Sequence, residues 1–366
     1  MKRLIIAGIL CLLCGTALYG QPPQSRNSGS VQERRWGSVA DRMPAAWYGT
    51  DEAKTIAEQV LLYQREAGGW PKNIEMHHPL TAEQKEALKQ TGPGMDPTLD
   101  NNATTTEMKF MAKMYEASQD ARYRSSFERG LDYLLEAQYG NGGWPQFYPL
   151  RAGYYTHITY NDDAMANILN LLKEVFDENP LYGFVATPQI VAKAKAAYDK
   201  GVECILKTQI YVDGRPTVWC AQHDETTLQP AKARAYELPS FSGGESGGIL
   251  LLLMDISNPS PEVIAAVEGG IKWLDERKIQ GIRVASAMPD GSRDRHVVQD
   301  VSAPPIWARF YDLETQQPFF CGRDGIKRPN LADIEYERRN GYSYYTYAPQ
   351  RALDAYPAWK ERIYGK

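Results

Sequence analysis

Gly142-Gly143-Trp144-Pro145 is the stretch that decides the fold, because the chain repeats it. The same four residues occur at 68–71, and a third unit carries Arg215-Pro216 in place of Trp-Pro. Each unit follows a glutamine at the same distance: Gln64, Gln138 and Gln209. A fixed period indicates one structural unit used several times, and about 70 residues per unit accommodate two helices with their connections. The repeat therefore predicts a succession of helical hairpins.

Apolar residues between the repeated turns recur at the three- and four-residue steps of amphipathic helices. The clearest series are Met108, Met111, Ala112, Tyr115; Phe127, Leu131, Leu134, Leu135; and Ala164, Ile168, Leu169, Leu172. Residues 249–254 are apolar all round, as in a buried helix, and no comparable succession of alternating strands is evident. We therefore predict an all-α fold, an (α/α) toroid of helical hairpins in a single domain. We expect Trp70 and Trp144 to pack in the core, although a tryptophan on the rim could also support a sugar ring.

The N-terminus has the pattern of an export signal. Lys2 and Arg3 precede the apolar run 4–18, which ends in small and turn-forming residues. This pattern predicts a signal peptide at 1–20 and a secreted or periplasmic protein. Residues 21–45 are rich in Gln, Ser, Arg and Gly and predict a disordered leader. The (α/α)-toroid domain is then expected at 46–366.

Composition excludes some partners. Without residues 1–20 the chain keeps 39 of its 41 basic residues against 45 acidic ones. Such an acidic surface argues against nucleic acid, so an anionic ligand needs a local basic cleft. We expect a monomer without membrane association. After loss of the signal peptide three cysteines remain, enough for at most one disulfide: Cys204, Cys220 and Cys321.

Two polar runs open helices that follow the repeated turns: 100–102 (Asp-Asn-Asn) and 161–163 (Asn-Asp-Asp). Either run could simply cap its helix. Capping needs one oxygen, however, whereas these runs supply several carboxylate and amide oxygens of the kind that Ca²⁺ binds. Neither run matches an EF-hand loop, so the residues alone leave both interpretations open.

Basic residues stand beside aromatic residues in three loops. Arg309 lies within Trp-Ala-Arg-Phe-Tyr, Arg323 within Phe-Phe-Cys-Gly-Arg-Asp-Gly, and Lys232 and Arg234 precede Tyr236. Guanidinium groups bind carboxylates in a bidentate manner, so the loops suggest a polyanionic ligand. The alternative is a local role for each: Arg323 and Asp324 cap local backbone, Arg309 pairs with Asp312, and Arg234 pairs with Glu237. His223, between Gln222 and Asp224, is a further candidate for substrate binding.

Six motifs taken together resemble the pectate lyases of polysaccharide lyase family 10. They follow one another in order over residues 51–347. The motifs are Gly68-Gly69-Trp70-Pro71-Lys72-Asn73, Leu99-Asp100-Asn101-Asn102-Ala103-Thr104-Thr105, Gly142-Gly143-Trp144-Pro145-Gln146, Ile158-Thr159-Tyr160-Asn161-Asp162-Asp163-Ala164, Trp219-Cys220-Ala221-Gln222-His223-Asp224 and Phe320-Cys321-Gly322-Arg323-Asp324-Gly325.

The resemblance implies an (α/α) toroid that cleaves polygalacturonate by Ca²⁺-assisted β-elimination. By position, Arg323 matches the catalytic arginine, and Asp100 matches an active-site acid. Arg309 and Arg234 match arginines that bind substrate carboxylates. The resemblance also implies that Asp162 binds calcium with Asn101 beside it, although Asp163 remains an alternative to Asp162. Cys321 stands where we expect a small residue such as serine.

An arginine base requires a neutral guanidine, whereas arginine normally stays charged. We expect nearby cations, namely Arg309, Arg234 and Ca²⁺, to lower the pKa of Arg323, and the rate to be highest at alkaline pH. Two other classes remain open. One is a glycoside hydrolase using two of Asp100, Asp162 and Asp163, and the other is a non-catalytic protein that binds an acidic polysaccharide.

Overall fold

The computed structural model describes residues 30–90, 96–177, 179–288 and 290–365. The predicted signal peptide and leader residues 21–29 lie outside this range. The described part contains eleven α-helices: α1 Trp36–Arg42, α2 Asp51–Tyr63, α3 Ala82–Gln90, α4 Thr105–Ser118, α5 Ala121–Ala137, α6 Ala164–Phe176, α7 Pro188–Thr208, α8 Glu245–Met254, α9 Pro261–Glu276, α10 Tyr336–Gly341 and α11 Pro349–Tyr364. None of these helices combines the length and apolar character needed to cross a membrane.

The long helices form two rows. In one row, α4 contacts α6, α6 contacts α8, and α8 contacts α11. In the other, α5 contacts α7 and α7 contacts α9, while the hairpins α4–α5, α6–α7 and α8–α9 join the rows. Helix α8 lies within the main core, as its apolar sequence predicts, and Leu250 and Leu253 are fully buried. The all-α (α/α) toroid predicted from the sequence is confirmed.

The repeated glutamines join successive hairpins. Each side-chain amide donates one hydrogen bond to a carbonyl of its own turn and one to a carbonyl of the next helix in the second row. The bonds run from Gln64 to Gly68 (2.7 Å) and Ser126 (2.9 Å), from Gln138 to Gly142 (3.0 Å) and Ala197 (2.8 Å), and from Gln209 to Thr217 (2.8 Å) and Ala266 (3.0 Å). Because each amide links its own turn to the next helix, the glutamines fix the register of the units.

The repeated tryptophans are core residues, as expected, and not sugar platforms: Trp70 and Trp144 are buried. Each indole Nε1 donates to a carbonyl of the helix that precedes it. The pairs are Trp70–Val60 (2.9 Å), Trp144–Leu134 (2.7 Å), Trp219–Ile205 (2.7 Å) and Trp307–Leu274 (2.8 Å). The alignment of Arg215 with the tryptophan position was therefore wrong. A longer turn delays the third tryptophan to Trp219, and Trp307 marks a fourth unit that the sequence comparison missed.

Short strands connect the hairpins. They are β1 Ile158–Thr159, β2 Tyr211–Val212, β3 Arg215–Pro216, β4 Gln222–His223, β5 Phe241–Ser242, β6 Ile282–Ala287, β7 Arg293–Gln299, β8 Trp307–Ala308, β9 Phe310–Tyr311, β10 Phe320–Cys321, β11 Lys327–Arg328 and β12 Tyr345–Thr346. All pairings are antiparallel: β1–β4, β2–β3, β5–β9, β6–β7, β8–β12 and β10–β11. The hairpin β6–β7 is the one extended pair in the described chain, and the sequence analysis missed it.

The second half of the predicted leader is folded. Residues 31–33 form a 3₁₀ turn, and α1 packs against α4. Trp36 is buried there: its backbone N–H donates to Glu75 Oε2 (2.5 Å) and its indole to Glu107 Oε1 (2.6 Å). The prediction of disorder over 21–45 was wrong for residues 30–45, because a single tryptophan with two carboxylate partners orders a segment whose composition is otherwise polar.

Glu107 makes stability depend on pH. Burial, opposed by the bond from Trp36, raises the pKa of Glu107 from 4.5 to about 7, and Oε2 has no partner in the described chain. The folded state then holds a proton that the unfolded state releases between pH 4.5 and 7. We expect the free energy of unfolding to fall across this range by at most about 3 kcal/mol, relative to Glu107→Gln. Urea unfolding of both proteins at pH 4.5 and pH 7.5 measures this, and equal changes with pH would contradict it.

Candidate active site

The two polar runs form matching 3₁₀ turns at the mouth of the toroid. Asn101 (φ 53°) and Asp162 (φ 51°) both have left-handed backbone, which Asn and Asp tolerate better than most residues. Just before each turn, a threonine N–H donates to the carbonyl of the repeat tryptophan (3.0 Å in both). This register makes Asn101 equivalent to Asp162, and Asp100 equivalent to Asn161. The turns bring the predicted residues Asp100, Asn101 and Asp162 together.

Asp100 is the buried centre of this mouth, with 3% of its surface exposed. Its carboxylate forms an ion pair with Lys72 and accepts hydrogen bonds from Gln146 Nε2 (2.6 Å) and Asn161 Nδ2 (3.3 Å). Lys72 and Gln146 each stand two residues after a repeat tryptophan. Two units of the repeat therefore direct their side chains onto one carboxylate.

Arg309 continues the network. One nitrogen of its guanidinium, Nη2, donates to Asn161 Oδ1 (2.8 Å) and to Glu245 Oε1 (2.9 Å), and lies 3.6 Å from Asp162 Oδ1. Glu245 is buried and also accepts a bond from Ser242. The sequence alternative, a pair between Arg309 and Asp312, is wrong, because Asp312 instead pairs with Lys327.

Two adjoining cavities surround Asp162. We call the first the central pocket; it has a volume of about 170 Å³. Its lining includes Lys72, Asp100, Asn101, Asn161, Asp162, Arg234 and Glu237. The second, the Arg309 cavity, has a volume of about 400 Å³ and includes Asp162, Asp163, Glu245, Arg309 and Tyr345. Asp162 lines both and stands where they meet.

Four guanidinium groups gather on Tyr236 and Tyr342. Arg309 lies 4.7 Å from the ring centroid of Tyr342. The Tyr236 ring carries Arg234 at 5.1 Å, Arg338 at 4.6 Å and Arg323 at 6.0 Å. Stacking on an aromatic face stabilises a cation without neutralising it. The tyrosines therefore hold positive charge at one side of the central pocket.

Arg234 forms the local pair that the sequence left as an alternative. Its Nε and Nη2 donate to the carboxylate of Glu237 (2.8 and 2.5 Å), which also accepts from the hydroxyl of Tyr342 (2.8 Å). The side chain still lines the central pocket and keeps 44% of its surface exposed. The pair therefore orients Arg234 without closing it off.

Arg323 stands at the edge of this group, outside the residues that line the central pocket. Its guanidinium donates to both oxygens of Glu337 (2.9 and 3.1 Å), and its backbone N–H donates to Glu335 (2.6 Å). Hydrogen bonding and charge from Glu337 raise the pKa of Arg323. This reverses the expected shift, because the nearest charge in this state is an anion. The local alternative holds for Asp324, whose Oδ1 accepts a hydrogen bond from the backbone N–H of Ile326 (3.1 Å) and whose carboxylate also pairs with Arg328 (2.6 Å).

His223 and Lys232 take different places from those expected of substrate ligands. His223 is fully buried; its Nε2 accepts from the N–H of Cys220 (3.1 Å) and its Nδ1 lies 2.9 Å from the carbonyl of Leu228. Both ring nitrogens thus support their own loop, so we omit His223 from the proposed site. Lys232 is exposed, and its charge acts on the thiol of Cys321. It stands beside the loop of Arg323.

The oxygen atoms around Asp162 fit a hard cation. Loss of surrounding water, followed by the charges of Glu245 and Asp162, raises the pKa of Asp163 to about 6. Loss of water likewise raises the pKa of Asp162, although Arg309 opposes the shift. A bound cation would relieve this crowding of carboxylates. Asn101 adds an amide oxygen on the same pocket, while its nitrogen donates to Asn73 (2.9 Å).

A tight group of metal-ligating side chains lies elsewhere. Among the described residues, the group of three or more His, Cys, Asp or Glu side chains close enough to share an ion is His157, Asp224 and Glu225. It contains none of the predicted calcium ligands. His157 Nδ1 lies 3.0 Å from Glu225 Oε2, so the group also has the geometry of a simple ion pair. The three cysteines left open for a disulfide, Cys204, Cys220 and Cys321, are all free and buried.

Several residues of the network escaped the sequence analysis. Asn161, Gln146 and Lys72 stand in the quoted motifs without a role. The repeat itself could have indicated Lys72 and Gln146, because each lies two residues after a repeat tryptophan. Glu245 and Tyr342 carried no comparable signal, because their partners are distant in sequence.

The chain is similar to a known protein family and to solved structures. The sequence profile described as pectic acid lyase matches residues 64–353, so the chain belongs to that family. A family 10 polysaccharide lyase from Cellvibrio cellulosa is 34% identical, with a TM-score of 0.76, over 88% of this chain and 95% of that one. That structure is an aspartate-to-alanine mutant in complex with trigalacturonic acid.

A second structure of a family 10 polysaccharide lyase from Cellvibrio cellulosa is 35% identical, with a TM-score of 0.74, over 86% of this chain and 97% of that one. No match was found among the curated proteins. The protein is therefore an enzyme, a pectate lyase, and the resemblance to polysaccharide lyase family 10 is confirmed. The glycoside hydrolase and the non-catalytic binding protein are no longer needed as alternatives.

Glu245 is expected to be essential for the stability of the site. Glu245→Ala leaves Arg309 charged in a buried position, where the side chain is only 14% exposed. We expect a loss of about 3 kcal/mol in the free energy of unfolding, measured with urea. Glu276→Ala is the matched control, because its partner Lys272 is exposed, and it should change stability by less than about 0.5 kcal/mol. Equal losses in the two variants would contradict the role of Glu245.

Proposed function

We propose that this protein cleaves α-1,4-linked polygalacturonate by Ca²⁺-assisted β-elimination outside the cytoplasm, with Arg323 as the base. The observation that carries the proposal is the pair of cavities that meet at Asp162: the central pocket holds oxygen ligands for a cation beside the guanidinium of Arg234, and the adjoining cavity holds the guanidinium of Arg309. The trigalacturonic acid bound by the Cellvibrio enzyme supports the choice of substrate. The products would be oligogalacturonates with a 4,5-unsaturated end.

Arg309 and Arg234 would bind the uronate carboxylates. The guanidinium of Arg309 is held in place by Asn161 and Glu245 and does not need to be ordered when substrate arrives. Such preorganised charge is the largest contribution in many enzymes. Arg234 offers the more exposed guanidinium at the mouth of the pocket.

Asp162 and Asn101 would hold Ca²⁺, with Asp163 as the neighbouring carboxylate in the Arg309 cavity. When bound, the ion would supply positive charge that makes the proton next to a uronate carboxylate easier to remove. Asp100 would act through its partners. Its carboxylate orients Asn161, which in turn accepts from Arg309, so we assign Asp100 to positioning within the active site rather than to proton transfer.

Arg323 would take the proton from C-5 of the galacturonate. The electron pair left on C-5 forms the C-4–C-5 double bond, the C-4–O bond breaks, and the leaving oxygen takes a proton from water. The hydroxide that remains takes the proton held by Arg323, which regenerates the base. For this step Arg323 must leave Glu337, which favours the charged form of the guanidinium. A partner for Glu337 remains, because Arg338 donates to the same carboxylate (2.9 and 2.5 Å). Loss of the anion and approach to other cations would then lower the pKa of Arg323.

The proposal predicts a calcium-dependent rise in ultraviolet absorbance when the protein is incubated with polygalacturonate. The conjugated unsaturated product absorbs, whereas a hydrolytic product does not. A chelator should abolish the rise, and added Ca²⁺ should restore it. New reducing ends without absorbance would contradict elimination, and full activity in excess chelator would remove Ca²⁺ from the mechanism.

Arg323→Lys separates catalysis from binding. Lysine keeps the positive charge but places a single amine where the guanidine would accept the proton. We expect kcat to fall at least about a thousandfold, with the Kd for oligogalacturonate within about threefold of wild type. Arg328→Lys is the matched control from the same loop and should retain activity. If turnover by Arg323→Lys is near normal, Arg323 is not the base.

A further inference from the structure

A third cavity extends away from the central pocket. We call it the N-terminal cleft; it has a volume of about 730 Å³, well within the range of ligand-binding sites. Its lining shares Lys72, Asn73 and Asn101 with the central pocket, so the two spaces adjoin each other. The far wall is formed by α1, which lies outside the residues matched by the family profile.

The carboxylates of this cleft are already engaged. Glu75 and Glu107 accept hydrogen bonds from Trp36, and Asp41 pairs with Lys113 (2.5 Å). They therefore anchor the wall of the cleft, and none of the three forms an ion pair with Arg35 or Arg42.

Two arginines of the same wall, unlike these carboxylates, have no charged partner in the described chain. Arg35 and Arg42 line the cleft and are exposed, and no carboxylate of the described chain forms an ion pair with either. They lie at the two ends of α1, a helix about 10 Å long. That distance exceeds the width of one sugar ring, so two guanidinium groups at this spacing suit carboxylates on different sugars of one chain.

Resting on the proposed function, we infer that the N-terminal cleft is a distal binding site for the polygalacturonate chain, in which Arg35 and Arg42 bind uronate carboxylates beyond the sugars that occupy the central pocket. The buried Trp36 holds α1 against α4 and so presents both arginines to the substrate. The site makes cleavage depend on chain length: a long substrate reaches α1, and a short one loses these contacts.

The test compares trigalacturonate with octagalacturonate as substrates of the full-length enzyme. For the double variant Arg35→Gln/Arg42→Gln we expect KM for the octamer to rise about five- to tenfold, the range for two exposed ion pairs. The octamer kcat should stay the same, and the constants for the trimer should change less than twofold. Arg35→Lys/Arg42→Lys, which keeps both charges, should restore most of the lost affinity.

The control is Arg215→Gln/Lys193→Gln, which also removes two positive charges, but at exposed positions outside the cleft. It should leave both substrates unaffected, and thermal unfolding confirms that each variant is folded. An unchanged octamer KM in the α1 variant, or equal losses for both substrates, would overturn the inference while leaving the lyase intact. If wild type cleaves neither substrate, the proposed function itself fails.

Discussion

A chain of hydrogen bonds through Asp100, Asn161 and Arg309 is the interaction on which the site depends. It begins at Lys72 after the first repeat tryptophan and ends at Glu245 at the start of α8, so it crosses units that only the closed toroid brings together. Buried charges of this kind are costly unless every member is paired. The repeat of glutamine and tryptophan contacts brings these partners together, because it sets all units in the same register; Arg309 Nε and Gln146 Oε1 are the atoms of the network that find no partner in the described chain.

The enzyme must attract a polyanion although its net charge is −4. The structure resolves this by local arrangement rather than by overall charge. Tyr236 and Tyr342 collect guanidinium groups on their faces, and Glu237 and Glu337 keep two of these groups in place. Exposed ion pairs contribute little to stability and are easily exchanged. The exposed pair of Arg323 with Glu337 can therefore open at little cost, whereas the buried pair of Arg309 with Glu245 stays in place.

The sequence was sufficient to predict the toroid and to single out Asp100, Asn101 and Asp162, because a repeat places equivalent residues at equivalent positions. It failed where a local exception mattered. The longer third turn concealed Trp219, and the composition of the leader concealed the anchoring of Trp36. The hairpin β6–β7 was missed within a helical pattern. The partner of Arg323 was beyond prediction as well: Glu337 belongs to α10, and nothing in the Gly-Arg-Asp-Gly motif indicates which carboxylate lies within reach.

The central claim is that Arg323 exchanges Glu337 for the sugar during the reaction. A crystal structure of the wild-type enzyme with a bound oligogalacturonate tests it most directly. A chelator in the crystals blocks turnover. The account predicts that the guanidinium of Arg323 will lie within about 3.5 Å of C-5 of one galacturonate, having left Glu337. An Arg323 side chain still paired with Glu337, and remote from every sugar, would contradict it.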